Sequence, residues 1–417
     1  MVTPSHSGPP LAAGAIVSLV GALIAIYVVS QFLRNSVGVI APDLAAEVDL
    51  SAAEIGLLSS SFFFAFAAVQ LPLGVAIDRF GPKACLLVCA AVTVVGTVLF
   101  ALATSPLGLI AARTLLGIGS CSSFMAPLAI YARRFPPHRF ATLTGLQLGL
   151  GSIGTLLATA PLAFATALAG WRATFLGVGV ITASIALLVA AVVEDGPSAG
   201  PPHRESLRES MAGVVQVFRT PSVGQLFLVH LTGYSSFALV VGLWGGPYLT
   251  HAYGYGLQAR GDLLFVAAVA QILGSLAWGP MDRVFGSHKL PVLLGAGLTA
   301  AALALIAVVG VLAPALLLVW FAAFGFLSAY TPVMIAHGKS LFPPRLVGRG
   351  ITVLNMGTMG GVFLAQTVSG LAIDLFPAPG GVYALDAYRG VFGLQAGFVL
   401  VSFLIYLGAR DPMRRSK

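Results

Sequence analysis

Charge is what this chain has least of. Only 9% of its 417 residues are Asp, Glu, Lys or Arg, against about 25% in a soluble domain. With 58% apolar residues and a mean hydropathy of +0.96, there are too few polar groups to cover a surface in water. Lipid is the solvent this composition fits. Cysteine is nearly absent as well. Cys85, Cys89 and Cys121 all lie in apolar stretches, supply no disulfide or metal framework, and are read as small packing residues. Glu-x-x-His pairs, phosphate-binding loops and nucleophile elbows are missing, so nothing points to an enzyme, a cofactor or a bound metal. A net charge of +8 and a pI of 9.7 would suit a nucleic-acid binder. The basic residues, however, sit in short loops between apolar runs, the pattern that orients membrane proteins.

What the chain does have is apolar runs long enough to cross a bilayer, which takes about 20 residues each. They fall near 13–40, 54–77, 84–104, 106–129, 141–163, 172–193, 222–248, 261–281, 290–311, 313–335, 349–375 and 389–408. Residues 11–33 lack the positive n-region of a signal peptide and are taken as the first membrane helix. Most connections are short. The exception, 194–221, mixes a Gly/Pro/Ser cluster with Arg204, Glu205, Arg208 and Glu209 and reads as a linker plus a short surface helix. With both termini in the cytoplasm, 17 of the 22 basic residues fall in inside loops, while the first outside loop carries Asp43, Glu47, Asp49 and Glu54 and no basic residue. That asymmetry sets the topology.

The two halves repeat each other. Gly74-Val-Ala-Ile-Asp78-Arg79-Phe-Gly81-Pro-Lys83 returns, loosened, as Gly279-Pro-Met-Asp282-Arg283-Val-Phe-Gly286-Ser-His-Lys289, 204 residues later by the aspartates. Phe135-Pro-Pro-His-Arg139 answers Phe342-Pro-Pro-Arg345 at an offset of 207, and Trp171-Arg172 answers Tyr388-Arg389 at 217. Three landmarks in one order make a parallel internal repeat. Such repeats place a substrate site between the halves, near the midplane.

On these motifs the chain resembles the major facilitator superfamily of transporters over essentially its whole length. Gly74 to Lys83 matches that family's loop G-x-x-x-D-R-x-G-x-K, and Arg113-Thr-Leu-Leu-Gly117-Ile-Gly119 resembles its fourth-helix R-x-x-x-G-x-G. The resemblance implies an all-α membrane protein with twelve transmembrane helices in two pseudo-symmetric six-helix halves, 1–193 and 222–417, joined by 194–221. It implies gating roles for Gly74, Asp78, Arg79, Gly81 and Lys83, with Asp78 against the start of helix eleven, where a carboxylate favours a helix N-terminus. Asp282 and Arg283 are the matching pair in the second half. The alternative is that these charges only shape turns and orient the protein. Arg34-Asn-Ser-Val-Gly-Val-Ile-Ala-Pro42 resembles the arginine-bearing, proline-ended segment of the organophosphate:phosphate antiporters. Their second arginine, on helix seven, has Ala238 as its counterpart here, which argues for a monoanion or a zwitterion over a phosphate dianion. Helix five lacks the Gly-Pro pair of drug:proton antiporters. Helices two and eight, as bounded above, lack the arginines of nitrate porters.

An arginine inside a span marks function by default. Arg34 therefore either grips substrate or snorkels to the headgroups, pairing with Asp43 or Glu47. Arg113 either couples or braces helix four. All carboxylates lie in loops or near span ends, so protonic coupling would need His230 or the substrate's own proton, unless His230 simply packs. Tyr27, Gln31, Asn35, Gln147, Tyr234, Tyr330 and Asn355 complete the candidate substrate set, each able instead to knit helices together. The expected function is secondary active uptake of a small organic anion or zwitterion across the cytoplasmic membrane by a monomer, with protons as candidate coupling ion and no nucleic-acid partner. A proton-coupled drug or metabolite efflux antiporter is the rival, and a transporter-like receptor the reading from another class.

Overall fold

The computed structural model describes residues 13–194, 207–343 and 346–413. Arg204, Glu205, Arg345 and the basic cluster at Arg414, Arg415 and Lys417 lie outside them. Every regular element among the described residues is helical, as a lipid-facing backbone requires, because a helix satisfies its own N–H and C=O groups. The first half runs α1 (Ala13–Asn35), α2 (Val37–Val48), α3 (Ala52–Phe80), α4 (Pro82–Leu102), α5 (Pro106–Ser120), α6 (Ser122–Arg134), α7 (Pro137–Gly151), α8 (Ile153–Leu157) and α9 (Ala160–Val192). A short helix, α10 (Leu207–Phe218), stands in the linker as expected. The second half runs α11 (Val223–Leu239), a π-helical turn Val240–Trp244, α12 (Gly245–Tyr253), α13 (Leu257–Trp278), α14 (Met281–Phe285), α15 (Lys289–Val309), α16 (Pro314–Leu327), α17 (Thr331–Leu341), α18 (Val347–Ile373) and α19 (Leu385–Tyr406).

Eleven helical stretches among the described residues are long and apolar enough to cross a membrane, one fewer than the twelve expected runs. The difference lies in α9, whose 33 residues would span about 50 Å at 1.5 Å each. At Gly170 its backbone leaves the helix, with φ 78° and ψ 158°. Residues 160–169 therefore complete the fifth span begun by α7 and α8, and Trp171–Val192 form the sixth. Spans one, four, five, seven and ten are built from more than one helix. Interrupted helices sit where transporters of this architecture line their cavities.

The sequence repeat is also a repeat of contacts. Gly81 and Gly286 both turn the chain with positive φ, 86° and 58°. The lysine after each turn donates to the end of its half's last span: Lys83 to Ala190 O at 2.8 Å and Lys289 to Leu407 O at 2.5 Å. Arg172 donates to Ala101 O and Ala103 O at the end of α4, and Arg389 to Ala307 O and Val308 O at the end of α15. Trp171 bonds Glu47, while Tyr388 bonds His251, a residue 204 positions after Glu47. Gly357 and Gly361 let helices approach closely, against Phe227 and Leu231 O. Gly145, Gly149 and Gly360 face open space.

One end of the bundle, carrying Asp43, Glu47 and Glu54, is sealed between the halves. Added Cβ atoms would meet backbone at three places: on Gly38 at 2.1 Å from Val241 O, on Gly56 at 2.7 Å from Gln366 O, and on Gly261 at 3.3 Å from Ala160 Cα. Those contacts join spans one to seven, two to eleven and eight to five. The amide of Ala52 at the start of α3 also donates across the halves, to Asp374 Oδ1 at 3.0 Å and Tyr383 Oη at 2.9 Å.

Candidate functional site

The first span breaks at Ser36, between α1 and α2, and the candidates Gln31, Arg34 and Asn35 lie just before that break. Arg34 is 7% exposed, and its guanidinium lies 4.4 Å from the centre of the Phe66 ring. Arg113 is fully buried, stacks 4.9 Å from Phe62 and donates to Leu33 O at 2.7 Å. Phe62 and Phe66 are one helical turn apart on α3, so two cations rest on successive rungs of one aromatic face. Neither has a carboxylate partner among the described residues. Arg34 Nε and Arg113 Nε and Nη2 are buried without a hydrogen bond.

Asp43 and Glu47, the possible partners of a snorkelling Arg34, are engaged elsewhere. Asp43 pairs with Arg260, and Glu47 with Trp171 and Arg172. The hydrogen bonds from Trp171 and Arg172 hold the Glu47 carboxyl below the usual glutamate range. A depressed carboxylate contributes fully above the ordinary value and loses its effect as pH falls through the lowered one. That clamp on the outer end of α2 is therefore in place across neutral pH.

Arg260 is a residue that the sequence reading missed. Helix eight begins at Leu257, four residues earlier than its apolar run, which brings Arg260 into the first turn. It is 3% exposed and donates to Val39 O at 2.8 Å and Thr250 Oγ1 at 3.1 Å besides pairing with Asp43. The apolar run hid it, because hydropathy ends a span where a buried ion pair does not. Arg260 ties the second half to the first at the sealed end. Asp43→Ala should lower the thermal stability of the purified protein by about 1–3 kcal/mol, less than for a fully buried pair because the Asp43 side chain is 37% exposed. An unchanged melting temperature would show the pair to be idle.

The other candidates divide into engaged and free. Gln147 accepts from Tyr131 Oη at 2.8 Å and donates to Leu23 O at 3.0 Å. Its carboxamide knits spans one, four and five. His230 Nδ1 lies 3.0 Å from Thr358 Oγ1, linking spans seven and eleven. Tyr27 packs on Gly151 and against Phe124, at 5.3 Å between ring centres. Both Tyr27 and Tyr234 feel the charge of Arg34, and Tyr234 lies beside the Asn35 carboxamide. Gln31 Oε1, Asn35 Oδ1 and Tyr330 Oη are buried and unbonded. Asn355 is half-buried, with no side-chain hydrogen bond among the described residues. The structure thus gathers Tyr27, Gln31, Arg34, Asn35 and Tyr234 about the break in span one. Farther along, His230 on span seven and Tyr330 at the break within span ten lie near Gly233 and Met334.

At the other end, Asp78 shares a cavity of about 290 Å³ with Gly74, Gly348, Arg349 and Thr352. The carboxylate therefore stands at the first turn of α18, beside the start of helix eleven. The linker helix closes over it: a Cβ on Gly213 would lie 2.8 Å from Arg349 Cδ. Arg79 is exposed against Phe80. Asp282 instead serves its own loop, accepting from the Arg283 amide at 2.7 Å and facing His288 at 3.4 Å, and Arg283 is exposed. Asp411 caps the start of α15 through Ser287 and the His288 and Lys289 amides. Burial pushes its carboxyl up, but those donors outweigh it and hold it below the aspartate range.

A family model described as "Major Facilitator Superfamily" matches residues 23–260 and 226–417. A probable sulfoacetate transporter of Cupriavidus necator is 26% identical over 282 residues, 64% of this chain, and the chain spans 65% of that relative's length. Monocarboxylate transporter 11 of Mus musculus is 28% identical over 98% of this chain and 90% of its own. Among solved structures, a bacterial homologue of the human lysosomal transporter Spinster, inward-facing and occupied, superimposes with a TM-score of 0.77 over 98% of both chains at 20% identity, a likeness of fold. With its duplicated charged hairpin and all-helical, two-half fold, this chain is a multi-pass membrane protein that belongs to the major facilitator superfamily.

Proposed function

We propose that the protein is a secondary active transporter that carries a small organic anion across the cytoplasmic membrane by alternating access, with the anion's acid group on Arg34. One observation carries this: two guanidiniums, Arg34 and Arg113, are buried in the spans with unbonded N–H groups and, among the described residues, no carboxylate beside them. A cation inside a membrane protein is tolerated where it meets a partner or water. A bound carboxylate or sulfonate supplies that partner through charge-assisted hydrogen bonds. Arg113, held on Leu33 O, fixes the backbone from which Arg34 projects. The relatives named for sulfoacetate and for monocarboxylates support an acid as cargo.

The acidic, sealed end then faces outward, and the basic end with both termini faces the cytoplasm. Asp78 and the start of α18 form the inner latch, which must part as the halves rock. Proton coupling, as in a symporter, would run through His230 or through the acid's own proton, since no carboxylate lies mid-span. Thermal stabilisation of the purified protein across small carboxylates, sulfonates, phosphate esters, amino acids and apolar cations tests the reading, because a ligand of the folded state raises its stability by mass action. One class of small acids is expected to stabilise. Stabilisation by apolar cations with none by acids would overturn the proposal in favour of drug efflux.

A further inference from the structure

Just beneath the sealed end, two carboxamides remain that an anion on Arg34 does not use. Asn35 is 1% exposed and Gln366 fully buried. Asn35 Nδ2 donates to Gln31 O at 3.1 Å and to Thr155 Oγ1 at 3.4 Å, and Gln366 Nε2 donates to Ala238 O at 3.1 Å. Main-chain carbonyls only accept, so the nitrogen ends are fixed in place and neither amide can flip. The oxygen ends, Asn35 Oδ1 and Gln366 Oε1, are buried and accept no hydrogen bond among the described residues. A buried acceptor left unpaired is costly, and native proteins rarely keep one without a reason.

The two carboxamides converge on Gly242, in the middle of the π-helical turn Val240–Trp244. Such turns recur at functional sites. A Cβ on Gly242 would lie 3.5 Å from Asn35 Oδ1 and 3.8 Å from Gln366 Nε2, so over this glycine the bare oxygen of one carboxamide stands opposite the nitrogen of the other, which bonds Ala238 O through only one of its two hydrogens. The place is continuous with the anion site through Tyr234, which lies beside Asn35 and feels the charge of Arg34. Gln366 is itself held in position: Ser369 Oγ bonds its carbonyl at 3.0 Å and receives the Trp244 indole N–H at 2.7 Å.

We infer that Asn35, Gln366 and Gly242 form a subsite that reads a hydroxyl, so that the preferred substrate is a hydroxy acid whose acid group meets Arg34 while its hydroxyl donates to Asn35 Oδ1 and accepts from Gln366 Nε2. The inference rests on the anion reading and adds the substrate class. An acid without the hydroxyl leaves Asn35 Oδ1 unpaired, and sites built to hydrogen-bond a substrate hydroxyl discriminate by that penalty.

The test is thermal stabilisation titrated with matched acids, lactate against propionate and tartrate against succinate, in sodium-free potassium buffer. The hydroxylated member of each pair should act at about tenfold lower concentration, the effect of one hydrogen bond to a buried acceptor. In Gly242→Ala the new methyl sits at ordinary contact distance and fills the hydroxyl's place. In Gln366→Leu the N–H that meets the hydroxyl oxygen is gone. Both variants should bring the ratio close to one while the unhydroxylated acid still stabilises, which also shows that they are folded. Equal potency within the pairs for the wild type, or a ratio that survives in both variants, overturns the inference and leaves the anion reading standing. Stabilisation by sodium chloride alone would place a cation on these oxygens and overturn it too. If no acid of either pair stabilises the wild type, the anion reading fails and takes the subsite with it.

Discussion

Arg34→Ala is expected to weaken binding of the stabilising acid by about 10²–10³-fold, and reconstituted uptake should fall to background. Removing one partner of a desolvated charged pair costs roughly 2–5 kcal/mol, and no other cation is placed to take over. Arg113 is fully buried and tied to Leu33 O. The ligand-free protein should behave in the opposite sense. Arg34 has no carboxylate partner among the described residues, and its Nε is unbonded, so the alanine variant removes a buried charge and should melt no lower than the wild type. A structural arginine would do the reverse, lowering the melting temperature whether or not acid is present. Arg34→Lys keeps the charge but loses the planar fork that grips both acid oxygens, and should recover binding only in part. Isothermal titration with the acid found in the panel, beside melting curves without it, separates the two cases. A variant that binds normally would remove Arg34 from the site.

Much of this fold was legible because a duplicated chain states its landmarks twice. The hairpins at Gly81 and Gly286, the lysines behind them and the arginines Arg172 and Arg389 each bind matching carbonyls in the two halves, so one sequence pattern marks one physical device. The breaks within spans were not legible in the same way. Ser36 and the π-helical turn at Val240–Trp244 lie inside apolar runs, and hydropathy does not register a backbone that leaves the helix there, whereas Gly170 falls in the gap between the runs ending at 163 and beginning at 172. The candidate site was half legible for a related reason. Residue type marks Gln147 and Gln366 equally as polar groups in a membrane. Only the surroundings show that Gln147 has both ends bonded, to Tyr131 and Leu23 O, while Gln366 keeps a bare oxygen. Arg260 escaped because its partner Asp43 is 217 residues away, a pairing that no local window contains.

The sealed end yields the other large effect. A Cβ on Gly246 would lie 1.9 Å from Gly38 O, and one on Gly38 2.1 Å from Val241 O. Both obstacles are backbone of the opposite half, so no rotamer change can make room, and the only relief is for the halves to part. Packing within each half is untouched by that separation, so Gly246→Ala should fold and insert, yet be unable to reach the sealed conformation. Alternating access needs that conformation in every cycle, and a shift of about 3 kcal/mol against it already cuts its population more than a hundredfold. Transport in proteoliposomes should therefore drop at least tenfold while acid binding persists. A cysteine in place of Leu44, buried at this end and introduced into a protein freed of Cys85, Cys89 and Cys121, should react much faster with a membrane-impermeant maleimide once Gly246→Ala is added. Gly21→Ala is the control, because nothing lies within 4 Å of its added Cβ. Unimpaired transport by Gly246→Ala would mean that the halves never need to meet at Gly38, and the sealed end would lose its place in the cycle.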